Sequence, residues 1–456
     1  MISQVFAHID ANRESYIQRL FEFLRSPSIS TDPQRKADTR QCGEWVLKLF
    51  SECGIKAEMI ETAGHPAILA DSGSGSGKAA VLIYGHYDVQ PVGDESLWKS
   101  PAFEPTVREG NIYARGSADD KGQVLAHLLA AEAWMKVTGK LPTRVKFLVE
   151  GEEEIGSPNL EKLVDTQKDK LACQYVALSD TPKFNDEIPA ITYGTRGLVY
   201  KEVVFTGPKQ NLHSGSYGGT LLNPGNALAA LIASFHDADR RVTIPHFYDD
   251  VRELSPGERE QMRKLPFDEK GYLAAMGAPS LVGEKGYSTM ERRSIRPTLD
   301  VNGMMGGFTG AGASTVIPAK VMAKVSMRIV PDQTRDKISK LFDECVRSRV
   351  PSDVRVEIHT HSTADPYVAK LDSPGMKAAE RAMAVGFGRA PVYIREGGTL
   401  PILPMFRRML GAESLMIGLC HPDCNAHGPN EFFAVEDFHR GIKTAAQFLH
   451  EMAAIG

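Results

Sequence analysis

Four short clusters of imidazole and carboxylate side chains, each just after a candidate core element, constrain this chain more than any other feature. Gly85-His86-Tyr87-Asp88-Val89 closes the apolar run Ala79 to Tyr84. Ala118-Asp119-Asp120-Lys121-Gly122, Glu150-Gly151-Glu152-Glu153-Glu154 and Ser179-Asp180 follow in turn. Imidazole and carboxylate are the borderline and hard ligands that hold hydrolytic divalent metals. One such cluster carries little weight. Four in series predict a site assembled along a sheet edge.

The elements between the clusters set the fold expectation. Residues 1 to 55 read mostly helical, with Trp45, Val46, Leu49 and Phe50 at helical spacing and Gly54 at a C-terminal cap. Ser72 to Gly77 is a Gly/Ser surface loop. Ala79 to Tyr84 reads as a strand buried on both faces. Val124, Leu125, Leu128, Leu129 and Ala133 predict an amphipathic helix from about Lys121. Val145, Phe147 and Val149 alternate into a strand ending at Glu150. Further strands are expected over Tyr175 to Leu178 and Leu415 to Gly418, the last running into a loop with His427. This alternation predicts an α/β catalytic domain with a mostly parallel sheet, and ligands of such sheets bind beyond the carboxyl ends of the strands.

The middle of the chain changes character. An alternating strand (Tyr200 to Phe205), a Gly-rich loop with His213 and a helix from Pro224 to about Phe235 come first. A charged helical stretch over about 250 to 275 and strands at Pro297 to Asn302, Lys320 to Val330 and Val354 to His359 follow. The expectation is an inserted two-layer α+β domain over 198–364. Segments 1–197 and 365–456 then form the catalytic domain. No repeat of solenoid period is visible.

Composition narrows the class. The 456 residues are 24% charged and 42% hydrophobic, with a formal net charge of −4, so a dedicated nucleic-acid surface is not expected. No apolar run approaches the roughly 20 residues that span a bilayer. The first residues lack a basic then apolar leader pattern, so no secretory signal is expected. Six Cys in this length fit reduced thiols in the cytoplasm.

Each cluster also has a plainer reading. A lone loop His is usually structural, but His86 has Asp88 two residues on, and a carboxylate that orients a ligating imidazole is a recurrent arrangement. Asp119-Asp120 could cap the following helix. Glu152-Glu153-Glu154 could be a solvated acidic run, yet the strand before it places it at a sheet end. Adjacent carboxylates there can divide labour, one holding metal and the other taking a proton from water. The run Cys420-His421-Pro422-Asp423-Cys424-Asn425-Ala426-His427 invites a zinc-knuckle reading, but its spacing is wrong for two ligand pairs across a loop. Cys420 is expected to end a strand, leaving His427 as the ligand.

Together these residues carry a family resemblance. Gly85 to Pro91 resembles the first metal-binding signature of the M20 metallopeptidases. Trp98, Pro101, Phe103, Pro105, Gly110, Tyr113 to Gly116 and Asp119 to Gly122 resemble the second, and Glu150 to Ser157 the third. Asn211 to Gly215 and His427 to Glu431 complete the set. The form of these stretches is similar to the cytosolic non-specific dipeptidase and carnosinase branch. The resemblance implies two divalent ions per chain, zinc first, with manganese or cobalt as alternatives. His86 and Asp180 would hold one ion, Glu154 and His427 the other, and Asp119 would bridge them, with a cis peptide to Asp120. Asp88 would orient His86 and Glu153 would be the general base. It further implies that Arg328 grips a substrate carboxylate and that the loop Arg395 to Pro401, with Glu396 and Thr399, contributes further substrate contacts. His213 would reach the metals of a partner subunit, in a homodimer formed through the inserted domain. Surface roles for Arg328 and His213 are the plain alternatives, and Asn211 departs from the Asp often found there. The expected activity is metal-dependent hydrolysis of dipeptides or short peptides with a free C-terminal carboxylate. An N-acyl amino-acid deacylase is the alternative, and a catalytically dead scaffold is disfavoured by the presence of Glu153. Neither nucleic acid nor membrane is an expected partner.

Overall fold

The computed structural model describes residues 1–73, 75 and 79–455. Ser74, Ser76 and Gly77 of the expected Gly/Ser loop lie outside the described residues. The chain divides into two units. The first comprises Met1–Tyr193, Ala369–Ile394 and Met405–Gly456, the second Gly194–Val368 and Arg395–Pro404.

The first unit is built on a mixed sheet. Its strands run in the spatial order Lys56–Ile60, Ala67–Asp71, Arg144–Glu150, Ala80–His86, Tyr175–Leu178, Glu413–Gly418 and Ala190–Thr195. The four central strands pair in parallel, and the flanking pairs are antiparallel. This is the mixed α/β class with a mostly parallel core that the sequence predicts. Two elements are more deeply buried than their patterns suggest. Val145 to Glu150 are all buried, so the alternation at Val145, Phe147 and Val149 does not mark a solvent face. Lys146 escapes by donating its Nζ to the Ala172 carbonyl at 2.6 Å, as a long amphipathic side chain can. The helix Lys121–Thr138 is not amphipathic in its surroundings either, since Lys121 through Trp134 are all buried. It packs against the strand Ala80–His86 and the helices Ile2–Ala11 and Val435–Met452, which cover the sides a surface helix would expose. Gly139, at φ 75°, ends it in the left-handed region. Among the described residues, no helix is long and apolar enough to cross a membrane.

The second unit is a four-stranded antiparallel sheet in the order Thr298–Gly306, Lys320–Ile329, Gly197–Thr206 and Arg355–Ala364. Alternate residues of Gly197–Thr206 and Lys320–Ile329 point to a core that Val203, Phe205, Met327 and Ile329 share with Leu228, Leu231, Phe342 and Val346 of the helices Pro224–Ala233 and Arg335–Arg349. Pro224 sits in the first turn, and Asn223 caps it by accepting from Gly225 N at 2.8 Å. The charged stretch is two helices, Pro256–Lys264 and Glu269–Met276, separated around Pro266 and capped by Ser255 and Asp268.

The division differs from the expected 198–364 insertion in one instructive place. Residues 395–404 belong to the second unit, although the sequence reading puts all of 365–456 in the catalytic domain. Hydrogen bonds across the chain explain it. Arg196 donates from its backbone N to Gly398 O and from Nε to Gly397 O, both at 3.1 Å. Arg328 Nη1 donates to Thr399 Oγ1 at 2.7 Å.

Candidate metal centre

The centre starts where the strand Ala80–His86 ends. His86 is fully buried, and its Nε2 has no hydrogen-bond partner although Asp119 Oδ1 lies 3.2 Å away. A buried imidazole nitrogen left without a hydrogen bond has the signature of a metal ligand. On its other side, Nδ1 lies 3.1 Å from the Asp88 carbonyl and 3.4 Å from Asp88 Oδ1. The Asp88 carboxylate in turn accepts Glu153 N at 3.2 Å and Glu154 N at 3.1 Å. Asp88 therefore fixes the ring of His86, chiefly through its carbonyl, and hangs the acidic turn Glu153–Ile155 beside it through its carboxylate.

The Asp119-Asp120 segment closes over this edge through a cis peptide bond. Gly85 permits the approach, because a Cβ there would come within 2.6 Å of Asp120 Oδ2 and of Val124 Cγ2. The Asp120 carboxylate accepts the His86 N–H at 3.2 Å. Buried Glu431 holds the segment from behind. Its Oε1 accepts Ala118 N at 2.9 Å and Asp119 N at 3.0 Å, and its Oε2 accepts Gly116 N at 2.8 Å and Arg115 Nη1 at 2.7 Å. His427 arrives on a loop in which Asn425, His427 and Asn430 all adopt left-handed φ, of 56°, 63° and 59°. Such a run of non-glycine residues is costly and clusters at functional sites.

Two overlapping groups of ligand atoms result. His86, Asp119 and Asp180 form one, and Asp119, Glu154 and His427 the other, with the atoms of each group within 4.8 Å of one another. Asp119 belongs to both and turns a different oxygen to each. Oδ1 faces His86, and Oδ2 lies 2.9 Å from His427 Nε2. His427 Nε2 is also 3.3 Å from Glu154 Oε2, which accepts Gln90 Nε2 at 2.8 Å. Among the described residues, neither group contains a cysteine. Cys420 does not end the strand, which stops at Gly418, but bridges to Pro182 beyond it, and its Sγ lies 4.0 Å from that of Cys424.

The electrostatics of the site favour cations. Burial first, then the neighbouring Asp119, pushes Asp180 up to about 7. Burial, with Asp180, Asp119 and Glu154 alongside, raises Glu153 well above the carboxylate range. Asp119 also feels burial, yet the imidazoles of His427 and His86 beside it hold it low. The bond to Asp119 lifts His427 to about 10. Buried carboxylates that repel one another are relieved by protons or by cations, and bound divalent ions reverse such shifts. The all-oxygen-and-imidazole donor set and the unsatisfied His86 Nε2 fit a pair of divalent ions.

The sequence reading passed over three contributors. Glu431 appears there only as the end of a signature, Gln90 only within the stretch Gly85 to Pro91, and Asp120 only as a possible cap and as the second residue of the cis peptide. The common signal was a polar residue inside a signature with no role of its own.

The remaining candidates lie in the second unit. Arg328 and Thr399 are brought together by their 2.7 Å hydrogen bond. Glu396 is raised by burial and lies 3.7 Å from Arg293 Nη2. His213 is exposed on the short strand Leu212–His213, paired with Val316–Ile317, and its Nδ1 accepts Gly215 N at 3.0 Å. Asn211, the departure noted above, accepts Ala319 N at 2.9 Å through Oδ1 and so pins this loop.

A sheet edge carrying two carboxylate-bridged ligand groups defines a metal-dependent hydrolase. Residues 82–451 match the model of peptidase family M20/M25/M40, and the chain belongs to that family. It is 30% identical over 474 residues to the Cys-Gly metallodipeptidase dug1 of Schizosaccharomyces pombe, covering 100% of this chain and 99% of that one. It is 30% identical over 473 residues to the Beta-Ala-His dipeptidase of Homo sapiens, covering 100% and 93%. Among solved structures, human carnosine dipeptidase 1 superposes with a TM-score of 0.84 at 30% identity, covering 99% of this chain and 98% of that one. The M20 family metallo-carboxypeptidase Sso-CP2 of Sulfolobus solfataricus gives 0.86 at 34%, covering 96% and 99%.

Proposed function

We propose that this protein hydrolyses the amide bond of dipeptides and similar short peptides with a free C-terminal carboxylate. The carrying observation is Asp119, shared by two ligand groups with Glu153 hung beside them on Asp88. The dipeptidase names of the full-length relatives support the substrate class. His86 and Asp180 would hold one ion, Glu154 and His427 the other, and Asp119 would serve both. Zinc is the proposed native metal, with manganese or cobalt as substitutes. Bound there, the ions supply Lewis acidity toward the scissile carbonyl and lower the pKa of water. Glu153 accepts the proton of the attacking water and passes it to the leaving amine. Its turn cannot drift, because the backbone N–H groups of Glu153 and Glu154 both donate to Asp88. Assaying metal-reconstituted protein against a panel of dipeptides and N-acyl amino acids tests the reading. Turnover of the N-acyl compounds alone would overturn it.

Arg328 is assigned to the substrate carboxylate, oriented by Thr399, with Glu396 completing the loop. A guanidinium suits two-point capture of a carboxylate. Amidating the C-terminus of a good substrate should therefore lower kcat/KM by at least about tenfold, the worth of one charge-assisted hydrogen bond. Equal hydrolysis of free and amidated dipeptides would remove Arg328 from this role.

The enzyme is further proposed to act as a homodimer through the second unit, with His213 stabilising the oxyanion in the partner's site. Six free thiols among the described residues support a cytoplasmic location. A mixed dimer tests the shared site. His213→Ala and Glu153→Gln should each be nearly inactive alone, and the heterodimer should regain activity, since one of its sites draws both intact residues from different chains. A verified heterodimer without recovery would confine His213 to its own chain or to no catalytic part.

A further inference from the structure

Within the second unit, a cavity of about 570 Å³ lies along the strand Thr298–Gly306 and the helix Thr289–Ser294. That volume is in the usual range for small-molecule sites. Its walls carry Arg196, Arg240, Arg292, Arg293 and Arg296 against two carboxylates, Glu284 and Asp300. Glu284 is already taken. Arg296 grips it with Nε to Oε2 at 2.7 Å and Nη2 to Oε1 at 2.8 Å, and Arg241 adds a contact at 3.1 Å. Four arginines are left facing Asp300.

None of the four is well matched. Arg196 donates to two carbonyls, Gly397 O and Arg296 O. Burial, with Arg328 nearby, pushes it down to about 10. Arg292 spends Nε on the Glu284 carbonyl at 2.9 Å. Arg293 reaches a carboxylate outside the cavity, Glu396, only at 3.7 Å. The Arg240 side chain makes no hydrogen bond or ion pair among the described residues, and its backbone is held at φ 61°. Guanidinium forks left over in a concave site are a receptor for planar or tetrahedral oxyanions. The lining also has an apolar part, Met276 (49% exposed) and Val282 (65% exposed) with Leu281 and Tyr272, whose ring lies 5.6 Å from the Arg293 guanidinium.

We propose that this cavity of the second unit binds a small organic anion, a phosphate or carboxylate head on an apolar body. The head pairs with Arg240 and Arg292, and the body lies on Met276, Leu281 and Val282. The same chemistry could come from a free metabolite or from the acidic side chain of a peptide.

Arginine-selective labelling with phenylglyoxal, mapped by mass spectrometry on metal-loaded full-length protein, tests it without turnover. Phenyl phosphate should slow labelling of Arg240 and Arg292 and leave exposed Arg347, outside the cavity, unchanged. In Arg240→Gln/Arg292→Gln protein, the concentration that protects Arg293 should rise at least about tenfold, and the double Lys variant should rise less. Protection by phenyl phosphate assigns a free anion. Protection by glycyl-glutamate alone, in Glu153→Gln protein, assigns a peptide side chain. Failure of both compounds to protect, or equal protection in the Gln variant, would overturn the site. Because no step of the readout needs hydrolysis, that failure is distinct from failure of the dipeptidase reading.

Discussion

Glu153→Gln protein should bind metal almost normally and turn over about 10²–10⁴-fold more slowly, the usual worth of a positioned general base. The substitution keeps size and removes the proton acceptor. Its backbone N–H still donates to Asp88, so the turn should stay in place. Glu154 is the internal control. It belongs to a ligand group and accepts from Gln90, so Glu154→Gln should lower metal occupancy instead. Steady-state kinetics beside elemental analysis separate the two. Near-normal turnover in Glu153→Gln protein would mean that another group takes the proton.

Asp119→Ala should have the largest effect on metal content. Its two oxygens serve different groups, so one substitution removes a ligand from each. It also leaves His86 and His427 facing a void. The expected result is fewer than two ions per chain at saturation, and activity lost beyond the about 10–100-fold that an outer partner's removal usually costs. Asp180→Ala, which touches one group only, should keep the second ion. Full occupancy in Asp119→Ala protein would refute the bridge.

How much of this was legible follows from how far each signal reaches. Candidate ligand residues at strand ends could be seen because a parallel sheet delivers neighbouring carboxyl ends to one edge, as His86 opposite Glu150 illustrates. The mixed α/β class came from the same alternation. The Lys121–Thr138 helix starts where the pattern predicts but is buried all round, because amphipathicity is read from one segment while burial is decided by whatever packs on it. Residues 395–404 changed units because three hydrogen bonds from Arg196 and Arg328 outweigh chain proximity. Glu431 stayed unremarked because its partners, from Arg115 to Asp119, stand more than three hundred positions away.

The Asp88 carboxylate has a consequence for anyone wishing to redesign this enzyme. It lies 3.4 Å from His86 Nδ1, which the carbonyl of the same residue holds, and it is the hook for the Glu153–Ile155 turn. If His86 holds metal and Glu153 takes the proton, as proposed, metal preference and proton transfer are mechanically geared together, and a change made to retune one should displace the other. Directed evolution for new substrates should find few gains along this edge. Improvements should accumulate instead around Arg328 and Thr399, which hydrogen-bond to each other within the second unit.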